Sequence, residues 1–257
     1  DGDRILSTAA PAGPAFEGGA IRCGMRAADG AIEVVRLTAA PPVEEPAPAS
    51  VSKPAVPSPV ELGVIGDVEP MGLCGSGLVD VVAELVRVGL LDSSGRFVPD
   101  DKAAEVAPAL ADRLTYVGQE RVFVLHRPTP DADPAESVYL SQRDVRELQF
   151  AKAAISTGWT LLLEELGLEH NDVQQVLLAG SFGSYLSPAA AVRIGLVPTL
   201  PTLRIVSAGN VAGEGAKMAL LSLRERTGAE ALLEEVTYVE LSDRSDFNDR
   251  FVEQLAF

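Results

Sequence analysis

The sequence predicts an α/β fold, in which a mixed β-sheet is flanked by helices and a Pro/Ala-rich insertion lies at the surface. Four apolar residues, Val176–Ala179, are typical of a short buried strand, and the glycine turn Gly180–Gly183 follows them directly. A second predicted strand, residues 203–206, leads into another glycine turn at 209–215 and an apolar helix. The segment Gln142–Leu166 repeats apolar residues at helical spacing. Such alternation of strands and helices is typical of an α/β domain.

Composition and charge limit the classes of protein to which the chain can belong. Its 257 residues are 47% hydrophobic, which is enough for a sizeable core in one or two globular units. No apolar run approaches the ~20 residues that span a bilayer. No signal peptide is visible, so we expect a cytoplasmic protein. Because the sequence begins at Asp1 without an initiator Met, we also expect it to be cut from a longer chain. A net charge of −16 disfavours nucleic acid and anionic membranes as partners.

The cysteines and histidines predict neither a disulfide framework nor a metal site. Cys23 and Cys74 are too few for such a framework or for a four-thiolate cluster, and they lack CxxC spacing. His126 and His170 each lie in a polar stretch without a neighbouring His or Cys. We therefore expect both histidines at the surface, with no metal ligand among these four residues.

Residues 1–38 begin the predicted domain with a loop rich in Gly and Pro around one carboxylate, Glu17. One interpretation is that this loop brings its backbone and Glu17 close to a phosphate or to the metal ion of the phosphate. The alternative is a tight irregular turn that Glu17 caps. The next predicted strand is Ala31–Leu37.

Residues 39–59 contain seven of the 18 prolines, among Ala, Ser, Val and Glu. This composition favours an extended, flexible spacer that cannot bury a core. We expect a surface insertion without chemistry rather than a domain boundary. Residues 60–257 are then the remainder of the same domain.

Glycines also cluster at residues 70–77, PMGLCGSG, directly before an apolar segment at 78–88. Gly75, Ser76 and Gly77 are a candidate anion site, because a helix N-terminus presents backbone N–H groups. Close packing of the helix against a sheet is the alternative, since neither GxGxxG nor Walker A spacing is met. Residues 92–134 indicate no chemistry.

The long predicted helix follows Ser141, a suitable N-cap, and has Asp144 in its first turn. Beside its apolar stripe, Gln149, Lys152 and Ser156 follow one another at i, i+3 and i+7. This row can hydrogen-bond a ribose and a phosphate. The alternative is a solvated edge of the helix.

The two glycine turns offer backbone that a ligand can approach. Two glycines expose N–H groups and carry few Cβ atoms, so an adenosine ring or a phosphate can come close. The alternative is that glycine serves only the geometry of each turn. Lys152 and Lys217, two of only four lysines, fall on the helices beside these turns, although solvated surface lysines are equally common.

Five motifs, in this order, carry a resemblance to a known family: GPAFEGG at 13–19, CGSGLVD at 74–80, RDVRELQFAKAAI at 143–155, LAGSFGSYL at 178–186 and GNVAGEGA at 209–216. Together they resemble the C-terminal part of the actin-like ATPase domain of the reductive activators of corrinoid proteins. The resemblance implies a ribonuclease H-like lobe. It also implies that adenosine lies between the long helix and the central glycine turn.

The resemblance further implies the function. Members of this family couple hydrolysis of ATP, with Mg²⁺, to uphill electron transfer that returns cobalt(II) to cobalt(I) on a corrinoid protein or corrinoid methyltransferase subunit. They usually form homodimers. Their 2Fe–2S cluster belongs to a ferredoxin-type domain that would precede Asp1, as would both Asp- and Gly-rich phosphate loops. We therefore expect this chain alone to bind adenosine weakly and not to hydrolyse ATP.

The candidate anion site and the resemblance together give one set of site residues. Glu17 is the catalytic candidate, and no metal ligand is assigned. The predicted nucleotide contacts are Gly13, Gly18, Gly75, Ser76, Gly77, Gln149, Lys152, Ser156, Gly180, Ser181, Phe182, Gly183, Gly209, Asn210 and Gly213.

Two other functions remain open from the sequence. An ATPase activator of a 2-hydroxyacyl-CoA dehydratase uses a related fold and holds its cluster between subunits. Cys23 and Cys74 would offer two thiolates per subunit for such a cluster. The third possibility is a non-enzymatic dimerisation and docking module whose glycine turns are structural.

Overall fold

A computed structural model describes residues 4–40, 58–201 and 204–257 of the chain. The chain forms two compact units. The continuous unit is Glu17–Glu147, and the split unit combines Asp1–Phe16 with Leu148–Phe257. Most of the predicted flexible insertion, residues 41–57, lies outside the described residues.

The strands in the described residues are β1 (Ile5–Ser7), β2 (Ala31–Leu37), β3 (Val60–Val64), β4 (Gly72–Leu73), β5 (Leu114–Val117), β6 (Glu120–His126), β7 (Val138–Ser141), β8 (Val176–Ala179), β9 (Ile205–Gly209) and β10 (Val236–Tyr238). The helices are α1 (Gly75–Arg87), α2 (Asp100–Val106), α3 (Gln142–Leu166), α4 (Gly180–Gly183), α5 (Pro188–Arg193), α6 (Val211–Leu221), α7 (Leu223–Glu235) and α8 (Phe247–Glu253). The predicted α/β class is confirmed, and the described strands form several small sheets flanked by helices.

The continuous unit contains two three-stranded sheets. In the first, β2 pairs antiparallel with β3 and parallel with β4, so this sheet is mixed. In the second, β6 lies between β5 and β7 and is antiparallel to both. Helix α1 packs on β2, where Ile32, Leu78 and Leu85 are buried. Burial of these apolar faces stabilises the unit.

The split unit contains two parallel strand pairs, β1 with β10 and β8 with β9. Its part of α3 supplies fully buried residues, among them Leu148, Ala151 and Leu161. Leu148 belongs to the apolar stripe that the sequence repeats at helical spacing, whereas Ile155 and Trp159 of the same stripe are only half-buried. The unit boundary at residue 148 falls inside α3, whose first turns belong to the continuous unit.

The predicted start of α3 is confirmed. The Ser141 hydroxyl accepts a hydrogen bond from the Asp144 N–H (3.2 Å), and the Asp144 carboxylate accepts one from the Ser141 N–H (2.8 Å). This reciprocal pair satisfies two backbone donors at the helix N-terminus.

The apolar helix predicted after the second glycine turn is two helices, α6 and α7. Ser222 leaves the helical conformation and accepts a hydrogen bond from the Glu225 N–H (3.3 Å) as the N-cap of α7. Strand β10 follows α7 directly, and a short 3₁₀ turn, Leu241–Asp243, comes after it.

Candidate functional site

The row on α3 is buried. Gln149 and Lys152 are each 2% exposed and Ser156 is 0% exposed, so the row is not the solvated edge that the sequence left open. Polar side chains at such positions require partners. The partners of the first two residues lie at the C-terminal end of the same unit.

The segment Leu255–Phe257, which we call the C-terminal tail, covers the row. The Gln149 side-chain amide donates to the carbonyl oxygen of Leu255 (2.7 Å), and the Lys152 ammonium donates to that of Ala256 (2.5 Å). The Phe257 ring centroid is 5.8 Å from the Lys152 Nζ, within cation–π range. Backbone carbonyls of the tail therefore accept from both donors that were predicted to contact a nucleotide.

Lys152 carries a buried positive charge. Burial lowers the pKa of its ammonium from 10.5 to about 8, so the group is mostly protonated at neutral pH. Among the described residues, no carboxylate lies within ion-pairing distance of it. A carbonyl dipole and a ring face compensate a charge only in part, so the site favours an anion.

Ser156 uses its hydroxyl within α3. Its Oγ lies 2.9 Å from the carbonyl oxygen of Lys152 and 3.2 Å from that of Ala153. Donation to a carbonyl of the preceding turn satisfies the hydroxyl hydrogen. Only the lone pairs of Ser156 are then available to a ligand.

Gly195 is a neighbour of the row that the sequence did not single out. Its φ is +73°, in the left-handed region that favours glycine, and a Cβ there would lie 3.2 Å from the Lys152 Nζ. A glycine in a loop gives no sequence signal for this contact. Its absent side chain leaves room for the ammonium.

The two glycines of the central turn, α4, differ in what they do. Gly180 has φ +87°, and a Cβ there would meet no atom within 4 Å, so the space beside this backbone is open. At Gly183 a Cβ would lie 3.0 Å from the carbonyl carbon of Leu178, so this glycine permits close packing. Open space beside a strand end fits a planar ring, whereas Gly183 has a structural reason to be glycine. Nothing is described of the Ser181 side chain.

Phe182, also in the central turn, is half-buried against Phe16. Their ring centroids lie 4.7 Å apart and the ring planes are tilted by 37°. Phe16 belongs to the GPAFEGG loop, so two predicted nucleotide motifs meet within the split unit. Gly13, in the same loop, has φ +67° and open space at its Cβ position.

Glu17 and Gly18 belong to the continuous unit. Glu17 is exposed at the end of a short 3₁₀ turn, and within the described residues its carboxylate makes no hydrogen bond or ion pair. The alternative that Glu17 caps its turn is therefore not observed. Gly18 has φ +79°, and a Cβ there would lie 2.7 Å from the Met25 N, so packing requires this glycine.

The second turn caps a helix. Gly209 has φ +69° and open space at its Cβ position. The Asn210 side-chain oxygen accepts from the Gly213 N–H (3.1 Å), which makes Asn210 the N-cap of α6. A Cβ at Gly213 would lie 2.8 Å from the Asn210 side chain, so this glycine keeps the cap.

The candidate anion site at the start of α1 is buried. Gly75, Ser76 and Gly77 all lie in the interior, and the Ser76 Oγ is 3.3 Å from the Cys74 Sγ. A Cβ at Gly77 would overlap the carbonyl oxygen of Ile32 in β2. Gly77 is therefore needed for close packing of α1 against β2, which is the alternative that the sequence left open for this glycine.

His126 is half-buried and its Nε2 lies 2.7 Å from a Glu69 oxygen, and the exposed His170 ring contacts Trp159 edge-on. No group of three or more His, Cys, Asp or Glu that could hold a metal ion occurs in the part of the chain that the structure describes. No helix in the same part combines the length and apolar character needed to cross a bilayer.

A protein-family model matches the chain over its whole length. The family is described as the C-terminal domain of RACo, the ASKHA domain, and its model matches residues 1–257. The match confirms the resemblance that the five sequence motifs carry.

Curated relatives and a solved structure show what the chain is similar to. Corrinoid activation enzyme RamQ of Eubacterium limosum is 32% identical over 256 residues, which is 99% of this chain and 40% of that protein. The [Co(II) methylated amine-specific corrinoid protein] reductase of Methanosarcina barkeri is 24% identical over 268 residues, which is 100% of this chain and 43% of that protein. A structure of a reductive activator for corrinoid,iron-sulfur protein matches with 32% identity and a TM-score of 0.80 over 100% of this chain and 37% of that chain. The chain thus spans about two fifths of the length of these proteins.

Proposed function

Because the chain belongs to the family of the C-terminal ASKHA domain of RACo, we propose that it is the nucleotide-binding C-terminal portion of an ATP-dependent reductive activator. The full-length protein returns cobalt(II) to cobalt(I) on a corrinoid protein or corrinoid methyltransferase subunit. It works in the cytoplasm as a homodimer, and its 2Fe–2S cluster lies in a domain before this one. The names of the relatives support a corrinoid partner.

The observation that carries the proposal is the buried charge of Lys152. This ammonium is 2% exposed and is held by one carbonyl oxygen and one aromatic ring. A nucleotide phosphate would compensate the charge far better, because charge-assisted bonds to phosphate are stronger than bonds to a neutral carbonyl. Gln149, one turn earlier, would bind the ribose hydroxyls in place of the Leu255 carbonyl.

The glycine turns would hold the base and the sugar. Open space beside the Gly180 and Gly209 backbone admits a planar ring without a Cβ in its path. Phe182, held by Phe16, would form an apolar wall there. Bound MgATP supplies the hydrolysis energy for the uphill electron transfer. Glu17, exposed and without a described partner, remains the catalytic candidate, because its carboxylate is free to hold a proton.

This chain alone would bind nucleotide weakly and would not hydrolyse it. The Asp- and Gly-rich phosphate loops that hydrolysis needs belong to the part of the ATPase domain that would precede this chain. The dehydratase-activator alternative gains no support, because Cys74 is 3% exposed and its Sγ lies 3.3 Å from the Ile32 carbonyl oxygen. Ligation of a cluster between subunits requires accessible thiolates.

Calorimetric titration of the full-length protein with MgATP tests the proposal. We expect saturable binding that Lys152→Met and Gly180→Val both weaken. Lys217→Met is the matched control, because Lys217 is exposed on α6 and pairs with Glu214 (2.6 Å). Equal binding by all variants would show that the nucleotide site does not include Lys152 on α3 or Gly180 on α4. Absence of binding by the wild type would overturn the ATPase function and leave the docking module.

A further inference from the structure

Helices α6 and α7 carry large apolar side chains that nothing in the described residues covers. We define the α6–α7 surface by Met218, Leu220, Leu221, Leu223 and Leu233, which are 52–84% exposed. No residue of either helix is buried. A soluble protein rarely exposes so many large apolar residues on adjacent helices unless a partner covers them.

The strand pairs of the same unit also lack neighbours among the described residues. The β1–β10 and β8–β9 pairs are parallel, and each has only two strands in the described residues. Leu177 of β8 is 59% exposed and Tyr238 of β10 is 54% exposed. Parallel sheets occur almost only with both faces covered, and two isolated strands are marginally stable. Both observations indicate a missing layer on this unit.

We propose that the α6–α7 surface is a docking surface for the part of the full-length protein that precedes this domain. The family is the C-terminal domain of longer proteins, and this chain corresponds to 40% of one relative, which leaves 60% outside it. A covering layer of one or two helices or strands needs only a small share of that length.

The geometry delivers the preceding segment to this surface. Ile5, in the first strand, lies opposite Val236 in β10, and Val236 directly follows the last residue of α7. The N-terminal end of β1 therefore lies beside the C-terminal end of α7. A tethered segment that starts so close has a high effective concentration there, whereas a second copy must first associate.

The docked segment would affect the glycine turn that is predicted to contact the nucleotide. The N-terminus of α6 is the capped turn of Asn210 and Gly213, one of the predicted nucleotide contacts. Met218 and Leu221 lie on α6, a single helix of 11 residues. A segment docked on these side chains therefore contacts the same helix as a ligand at the helix N-terminus. The surface thus links the preceding part of the protein to the nucleotide site.

Oxidation of methionine in the native full-length protein tests the proposal. Hydrogen peroxide is added over a wide protein dilution series, and mass spectrometry follows Met218, with Met71 as the exposed methionine of the continuous unit. We expect Met218 to oxidise several-fold more slowly than a peptide of the same sequence, at every dilution. Oxidation at the rate of the peptide would overturn the proposal, because the surface would be open.

The protein dilution series distinguishes a tethered segment from a second copy of the chain as the occupant of the surface. Protection of Met218 that disappears on dilution would assign the surface to a second copy and overturn the proposal. As a second measurement, Leu221→Asp in the full-length protein should lower the unfolding midpoint at every protein concentration. Val252→Asp, at another exposed position, should not. An unchanged midpoint for Leu221→Asp would also overturn the proposal.

Discussion

The rings of Phe16 and Phe182 lie 4.7 Å apart, centroid to centroid, although one stands near the start of the chain and the other in the central glycine turn. Each ring belongs to a different predicted nucleotide motif. The pair therefore sets the position of the central turn relative to residues 13–16. An aromatic pair of this geometry contributes about 1 kcal/mol beyond the area that it buries.

Phe16→Ala should destabilise the split unit by about 2 kcal/mol, since the ring pair and its buried area are both lost. It should also weaken MgATP binding, because the central turn loses its support. Denaturant unfolding and calorimetry of the full-length protein measure the two effects. Tyr116→Ala, at an exposed ring in β5 of the continuous unit, should leave the affinity unchanged. Equal MgATP affinities of the wild type, Phe16→Ala and Tyr116→Ala would show that the ring pair does not support nucleotide binding.

Removal of the C-terminal tail should raise the affinity for MgATP. Without residues 255–257, Gln149 and Lys152 lose the carbonyls that occupy them, and a nucleotide no longer competes with the tail. We expect Kd to fall about tenfold, which corresponds to ~1.4 kcal/mol. Calorimetry of the truncated full-length protein measures it.

Phe257→Ala is the matched control for this truncation. It removes the ring above Lys152 and keeps both carbonyls, so the affinity should change much less. Weaker binding by the truncated protein would mean that the tail is a wall of the site rather than a competitor.

The sequence predicted those elements whose signal is local. The apolar runs of β8 and α3 predicted the type and position of both elements, although the prediction that β8 is buried was wrong, since Leu177 is 59% exposed. The cap of α3 by Ser141 and Asp144 could be predicted because the two residues are three apart. The break at Ser222 was missed because apolar residues continue on both sides at helical spacing. Local pattern cannot decide between a continued helix and a new cap.

The environment of the site could not be predicted from sequence. The row of Gln149, Lys152 and Ser156 was identified by spacing, but its partners are backbone carbonyls of the tail, and a carbonyl is the same at every residue. In the same way, Gly77 and Gly180 look alike in sequence. Only the structure places the Ile32 carbonyl against the first and open space beside the second.

The charge of Lys152 should make stability depend on pH. Its folded pKa is about 8 and its unfolded pKa is near 10.5, so between these values the unfolded chain binds the proton and the folded chain does not. Stability should therefore rise from pH 8 to pH 10.5, by no more than about 1.4 kcal/mol per pH unit, and should gain nothing below pH 8.

Lys152→Met isolates this contribution. The difference in unfolding free energy between the wild type and the variant removes the titration of other lysines and tyrosines. We expect that difference to shift in favour of the wild type from pH 8 upward. A flat difference over this range would show that Lys152 is hydrated in the folded protein. Binding of MgATP should weaken over the same range, as the ammonium loses its proton.

Asp144 should hold the start of α3 to the chain that follows Glu17. One carboxylate oxygen accepts from the Arg22 N–H (2.8 Å) and the other from the Ser141 N–H (2.8 Å), and the residue is 1% exposed. Burial raises the pKa of this carboxyl above its ordinary value, while both backbone bonds lower it. In Asp144→Asn one acceptor becomes an N–H₂ donor that faces a backbone N–H.

That conflict should cost about 2 kcal/mol, because a buried donor is left unsatisfied. Guanidinium unfolding of the full-length protein measures it. Asp133→Asn is the matched control, since Asp133 accepts one backbone bond from Ala135 (2.8 Å) in an exposed turn and can keep it through its amide oxygen. We therefore expect a loss below about 0.5 kcal/mol there. If Asp144→Asn were as mild, solvent would have to reach the carboxylate, and Arg22 would not be held by it.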